Sequence, residues 1–190
     1  ATILADDENH VEASREGLMQ ARHELEHYIA QDPFFATTME PYAGRSDSTV
    51  VRRMIAAALS AGVGPMAAVA GAIAWAGVES MAASGASLGV IDNGGDIALI
   101  SDRALRVGVH SGRSPYSDRF AFEIPPRTEI LGICTSSATV GHSLSLGTAD
   151  AVCVFSQNPA LADAWATAIC NTITPDDTSI IDRVPWEDVD

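Results

Sequence analysis

The stretch GVIDNGGDIALI, residues 89–100, decides how the rest of the chain is read. Its apolar residues fall in two short runs on either side of Asn93-Gly94-Gly95-Asp96, and Ile97, Leu99 and Ile100 restart the second run. Two consecutive glycines between Asn and Asp supply the positive φ that a tight β-turn demands, so the segment reads as a hairpin. The same glycines would also let a ligand approach the backbone closely, and on sequence alone both readings stay open.

Helical spacing dominates upstream of the hairpin. ATILADDENH reads as a partial strand leading into a helix over about 11–30, whose Leu18, Ala21, Leu25, Tyr28 and Ile29 form one apolar stripe before Asp32-Pro33 ends it. Asp47 or Ser48 is placed to cap a second helix through Val50, Val51, Met54, Ile55 and Leu59. In AGVGPMAAVAGAIAWAGVESM, residues 61–81, Pro65 suits a first helical position, and the nearly all-apolar helix that follows must be buried. Downstream, ALRVGVH (104–110), FAFEI (120–124), EILGIC (129–134) and DAVCVF (150–155) read as strands, and Pro159 opens a last helix. Helices, then strands, then a helix predict an α+β domain with a mainly antiparallel sheet packed against buried Ala-rich helices. No linker divides the 190 residues, so one domain over 1–190 is expected, incomplete at its ends given that the chain opens Ala-Thr without Met.

The charge excludes some functions. Acidic residues number 25 against 11 basic ones, a net charge of −14, and every basic residue is Arg. Such a field repels polynucleotides, so nucleic-acid binding is not expected. A Lys-free acidic surface suits a salt-rich cytoplasm, where molar salt shortens the Debye length to about 3 Å. Glycine, serine and proline interrupt the apolar runs, so no membrane span is expected, and no basic-then-apolar leader is visible; a cytoplasmic location follows. Cys134, Cys153 and Cys170 are widely spaced within apolar segments and read as buried thiols. His23 and His27 read as a solvated helix face.

A carboxylate in an otherwise greasy helix raises the functional question. In NPALADAWATAICN, residues 158–171, Asn158 and Pro159 start the helix, so Asp163 lies too deep to cap it. Asp163, Thr167 and Asn171 form one narrow stripe of oxygen-bearing side chains. Either this stripe touches water, or Asp163 and Thr167 offer hard oxygen ligands to Mg²⁺. Two further segments would complete a phosphate site. VGPMAA places Gly64, Pro65 and Met66 where a helix start could present amides to an anion. ICTSSATVGHSLSLG gathers Thr135, Ser136, Ser137, Thr139 and His142 beyond a buried strand, hydroxyls for phosphate or ribityl oxygens and a general base.

Taken in order, GVGPMAAVAGAIA, VIDNGGDI, GICTSSATVGHSLSLGTADAV and ALADAWATAICN resemble an uncharacterised prokaryotic family related to the ApbE-like FAD:protein FMN transferases. The resemblance to the uncharacterised family is close, and that to the transferases more distant. It implies an ApbE-like fold, with Asp163 and Thr167 as Mg²⁺ ligands and Gly71 to Ala74 close to the metal. It implies that Asn93, Gly94, Gly95 and Asp96 lie near the flavin nucleotide and His142 near the reacting phosphate. Two motifs depart from the transferases: SLSLGTAD follows His142 in place of an Asp-Pro-Arg-Thr-Gly run, and Trp75 stands where they carry Lys. The expected function is Mg²⁺-dependent attack on the FAD pyrophosphate, with His142 deprotonating a protein hydroxyl or water. The alternative is a catalytically silent flavin or nucleotide binder of the same fold.

Overall fold

Gly94 and Gly95 have φ of 78° and 105°, and the Asn93 amide donates to the Asp96 carbonyl at 3.0 Å. The double glycine therefore closes a two-residue hairpin tip in the conformation that only glycine adopts freely. The computed structural model describes residues 1–140 and 146–174. Its strands are β1 (Thr2–Ala5), β2 (Leu88–Asp92), β3 (Asp96–Ser101), β4 (Leu105–Gly108), β5 (Ala121–Ile124), β6 (Arg127–Ser136) and β7 (Val152–Ser156). Its helices are α1 (Glu8–Gln31), α2 (Phe34–Thr37), α3 (Thr49–Ala61), α4 (Val69–Ala83) and α5 (Pro159–Thr172), with a 3₁₀ turn at Pro65–Ala68.

Five strands form one sheet in the order β1-β2-β3-β6-β7, antiparallel at every pairing. The chain leaves β3 to build the separate β4–β5 hairpin, then returns as β6 beside β3. Strand alternation sends Ile91, Ala98 and Ile100 to one face, against Ala74, Val78 and Met81 of α4. It sends Ile97, Leu99, Leu131 and Ile133 to the other, where Leu105, Val107 and Ile124 of the small hairpin cover them. Helix α5 lies beside α4 over β6 and β7, and α1 and α3 close the layer behind. The α+β architecture with an antiparallel sheet and buried Ala-rich helices is the one expected. Met54, Met81, Ile91, Leu99 and Ile133 are fully buried, each contributing about 1.5–3 kcal/mol relative to exposure.

Local differences have local causes. Thr2–Ala5 is a full edge strand paired to β2, and α1 starts before residue 11 because the Asp7 carboxylate caps it, accepting from the Asn9 amide at 2.8 Å. Ser48 rather than Asp47 caps α3, accepting from the Val51 amide. Pro65 opens a 3₁₀ turn, closed by the Ala67 amide on the Gly64 carbonyl at 3.1 Å, and the α-helix begins only at Val69. Pro65–Ala83 is long and apolar enough, at mean hydropathy 1.4, to cross a membrane, longer than the interrupted runs expected. Nothing from residue 63 to 81 is exposed, because that surface packs on α1, α5, β2 and β3.

Candidate functional site

Helix α5 turns its polar stripe inward. Asn158 caps it, accepting from the Leu161 amide at 2.9 Å, and the resulting register leaves Asp163 only 8% exposed. Thr167 and Asn171 are half-buried, and Asn171 Oδ1 accepts from the Leu146 amide. The positions facing water are instead Trp165 and Ile169. The solvated-stripe reading therefore does not describe Asp163.

The Asp163 carboxylate meets the first turn of α4, where Oδ2 accepts from the Gly71 amide at 2.8 Å and the Ala70 amide also donates to it. A side chain at position 71 is impossible without movement, since its Cβ would lie 2.4 Å from the Pro159 carbonyl oxygen and 2.9 Å from Asp163 Cβ. The glycine thus lets the two helices cross closely enough for an α5 carboxylate to serve the N-terminal amides of α4. Of the Gly71 to Ala74 segment, Gly71 meets Asp163 directly.

A second, half-buried carboxylate lies within electrostatic reach of Asp163. Asp96, at the foot of the double-glycine turn, accepts from the Thr135 amide at 3.2 Å and pairs across the sheet with Cys134. Burial pushes Asp96 up to about 7, with the neighbouring Asp92 adding to it and the Thr135 amide and Cys134 opposing. Burial likewise pushes Asp163 well above the usual carboxylate range, and the charge of Asp96 pushes it further. Between them the Cys134 thiol is held protonated by burial and by both carboxylates, and it donates to the Pro159 carbonyl at 3.4 Å.

On the other face of the sheet, a cleft of about 310 Å³ opens between the glycine turn and the β4–β5 hairpin. Asp92, Gly94 and Gly95 form its rim, Ile97, Ile133 and Thr135 its floor, and Val107, His110 and Phe122 its hairpin wall. Asn93 holds the turn against α4 through a 3.2 Å bond from Nδ2 to the Ala70 carbonyl. Thr135 Oγ1 lies 3.1 Å from Cys153 Sγ, so Cys153 is a half-buried cleft residue rather than a core thiol. Ser137 also lines the cleft but spends its Oγ on the Thr139 and Val140 amides, and Thr139 Oγ1 donates to Asp150. Ser136 Oγ is buried without a hydrogen-bond partner.

The structure does not bring the Gly64, Pro65 and Met66 segment into this group. Gly64 packs on the Thr38 carbonyl, Pro65 is fully buried, and Met66 packs in the helical core. The amides at the start of α4 belong to Asp163 instead. His142 lies outside the described residues. His23 and His27 are exposed on α1. His110 escaped the sequence reading as a site residue, and Cys153 was read only as a buried thiol, because both reach the cleft through the packing of segments far apart in the chain, which leaves no local spacing to find.

A buried and a half-buried carboxylate within electrostatic reach of one another, with no basic group contributing to either shift, make an arrangement that a cation would relieve. Among the described residues no three His, Cys, Asp or Glu side chains group as a metal site. The Asp163 and Asp96 carboxylates and the half-buried Thr167 hydroxyl one turn along α5 are nevertheless hard oxygen donors of the kind Mg²⁺ accepts. By donor chemistry the residues fit such an ion.

A family model described as AbpE bacteria matches residues 2–190. The chain is 62% identical over 184 residues to a UPF0280 protein of Methanoculleus marisnigri, covering 97% of this chain and 76% of that one. It is 60% identical to a UPF0280 protein of Methanospirillum hungatei, covering 97% and 75%. It is 56% identical to one of Methanoregula boonei, covering 100% and 80%.

Proposed function

This chain belongs to the AbpE bacteria family, and from that premise we propose a Mg²⁺-dependent enzyme with an ApbE-like fold that acts on FAD at its pyrophosphate. The observation that carries the reading is Asp163, buried at the start of α4 within electrostatic reach of Asp96, whose glycine turn borders the cleft on the opposite face of the sheet. Asp163 and Thr167 would hold the ion, with Asp96 adding negative charge beside it. When bound, the ion supplies neutralisation of phosphate charge, which an anionic substrate needs beside a protein of net charge −14.

The chain's own residues do the rest. Ile97, Ile133 and Phe122 give the cleft apolar surface for a ring system. Gly94 and Gly95 let the pyrophosphate approach the turn backbone. Thr135 offers a hydroxyl, and by the motif resemblance His142 would lie near the reacting phosphate. FMN would pass to a protein hydroxyl or to water, and AMP would leave. The protein would work in the cytoplasm.

One observation favours the silent binder. Trp75, at the transferases' Lys position, carries Arg53 stacked 3.6 Å from its ring, and Arg53 is locked to Glu79 by bonds of 2.7 and 2.6 Å. That position is committed to packing α3 on α4. Incubation with FAD and Mg²⁺ separates the two: AMP release that stops on chelation and in Asp163→Asn supports the enzyme, whereas bound flavin without AMP supports the binder. Absence of any flavin binding refutes both.

A further inference from the structure

We infer that His110, oriented by Asp118, is a catalytic residue of this site and takes the proton from the attacking hydroxyl. The inference rests on the FAD-cleaving reading and deepens it, giving His110 the proton-acceptor role that the motif resemblance alone would give His142. His110 lines the same cleft as Gly94, Gly95 and Thr135. Its Nδ1 lies 3.1 and 3.2 Å from the two Asp118 carboxylate oxygens. A carboxylate on Nδ1 holds the proton there and leaves Nε2 as the basic nitrogen, as in other His–carboxylate pairs.

The surrounding loop is built around this pair. Asp118 is the one non-glycine with positive φ among the described residues, at 61°, a backbone state that costs energy and is worth explaining where it occurs. Its amide donates to the Val109 carbonyl, and the Val109 amide donates to the Phe120 carbonyl, both at 3.0 Å. Those two bonds fix Asp118 opposite His110. Ser117 Oγ accepts from the Ser111 amide at 3.0 Å and lies 3.3 Å from both His110 Nδ1 and Asp118 Oδ2. An exposed groove lined by Tyr116, Phe120 and Phe122 shares Val109, Phe122 and Cys153 with the cleft, which gives an acceptor segment a way to reach the imidazole.

The step balances. The acceptor O–H proton moves to His110 Nε2, the acceptor oxygen bonds to the FMN phosphorus, and the bond from that phosphorus to the bridging oxygen breaks with its electron pair leaving on AMP. The imidazolium then returns its proton to solvent. Asp118 acts through His110 and is a positioning residue.

The test uses the full-length protein with FAD and Mg²⁺, following AMP release, flavin binding by fluorescence, and the imidazole tautomer by long-range ¹H–¹⁵N spectra. His110→Gln should lower kcat by about 100-fold or more with FAD affinity held within about threefold. Asp118→Asn should lower kcat by about tenfold or more and redistribute the His110 tautomers. Retention of kcat in His110→Gln overturns the inference, as does a His110 spectrum unchanged in Asp118→Asn. A wild type that binds FAD without releasing AMP also overturns it while leaving the binding reading intact, whereas one that binds no FAD removes the premise and the inference together.

Discussion

Asp96→Asn removes the half-buried carboxylate near Asp163 while keeping an oxygen that can accept from the Thr135 amide. The Asp96 carboxyl is pushed from 3.8 up to about 7, roughly three units, or about 4 kcal/mol of differential stability. The sign follows from the direction. A carboxyl raised by folding is most comfortable protonated, so its contribution is full below the unfolded value and is lost as pH climbs through the folded one. Between about pH 5 and pH 8 the wild type should lose roughly 2–3 kcal/mol through this group, and the variant should not. For a domain of this size that is about 5–10 °C in Tm. The assay is thermal unfolding of both proteins in chelator across that range, read as the difference in Tm, which cancels groups common to the two. The variant's advantage should grow with pH in chelator and shrink in Mg²⁺, because a cation lets both carboxylates stay ionised. A difference that stays constant, or narrows as pH rises, refutes the assignment of Asp96 as a desolvated carboxylate facing Asp163.

Asp163→Ala strands the Gly71 amide and should cost about 1–3 kcal/mol in urea unfolding, whereas Asp163→Asn keeps an acceptor and should cost less in chelator yet lose the gain that Mg²⁺ gives the wild type. Gly71→Ala pushes a methyl onto the Pro159 carbonyl and should destabilise by about 1–3 kcal/mol, with loss of Mg²⁺-dependent flavin binding measured by fluorescence titration. With a net charge of −14, the chain should melt higher as KCl is raised from low to molar concentration, and a flat or falling Tm would contradict the salt-adapted reading of its surface.

Much of the fold was legible because its signals are local. Asn93-Gly94-Gly95-Asp96 specifies a turn within four residues, Ser48 and Asn158 announce their helices, and alternation marks Asp96–Ser101 and the strand at 129–134. The site was legible in part. Asp163 declared itself as a carboxylate in an apolar helix, but the water-facing and cation-facing readings of its stripe share one periodicity, and only the packing of α5 on α4 separates them. Pro65 looked like the start of a helix whose amides were free. The tertiary crossing at Gly71 gives the α4 amides to Asp163, which no single-segment pattern can show.

The sequence by itself determined the order of helices and strands, the glycine hairpin, the acidic surface and the candidacy of Asp163, because each depends on neighbours a few residues apart. The tertiary structure alone decided that Asp163 lies within electrostatic reach of Asp96, 67 residues away in the chain, and that His110, paired with Asp118, lines the cleft. The physical reason is the same in both cases. Burial and charge proximity depend on how helix, sheet and hairpin pack together, which places groups beside one another that share no helical or strand spacing along the chain.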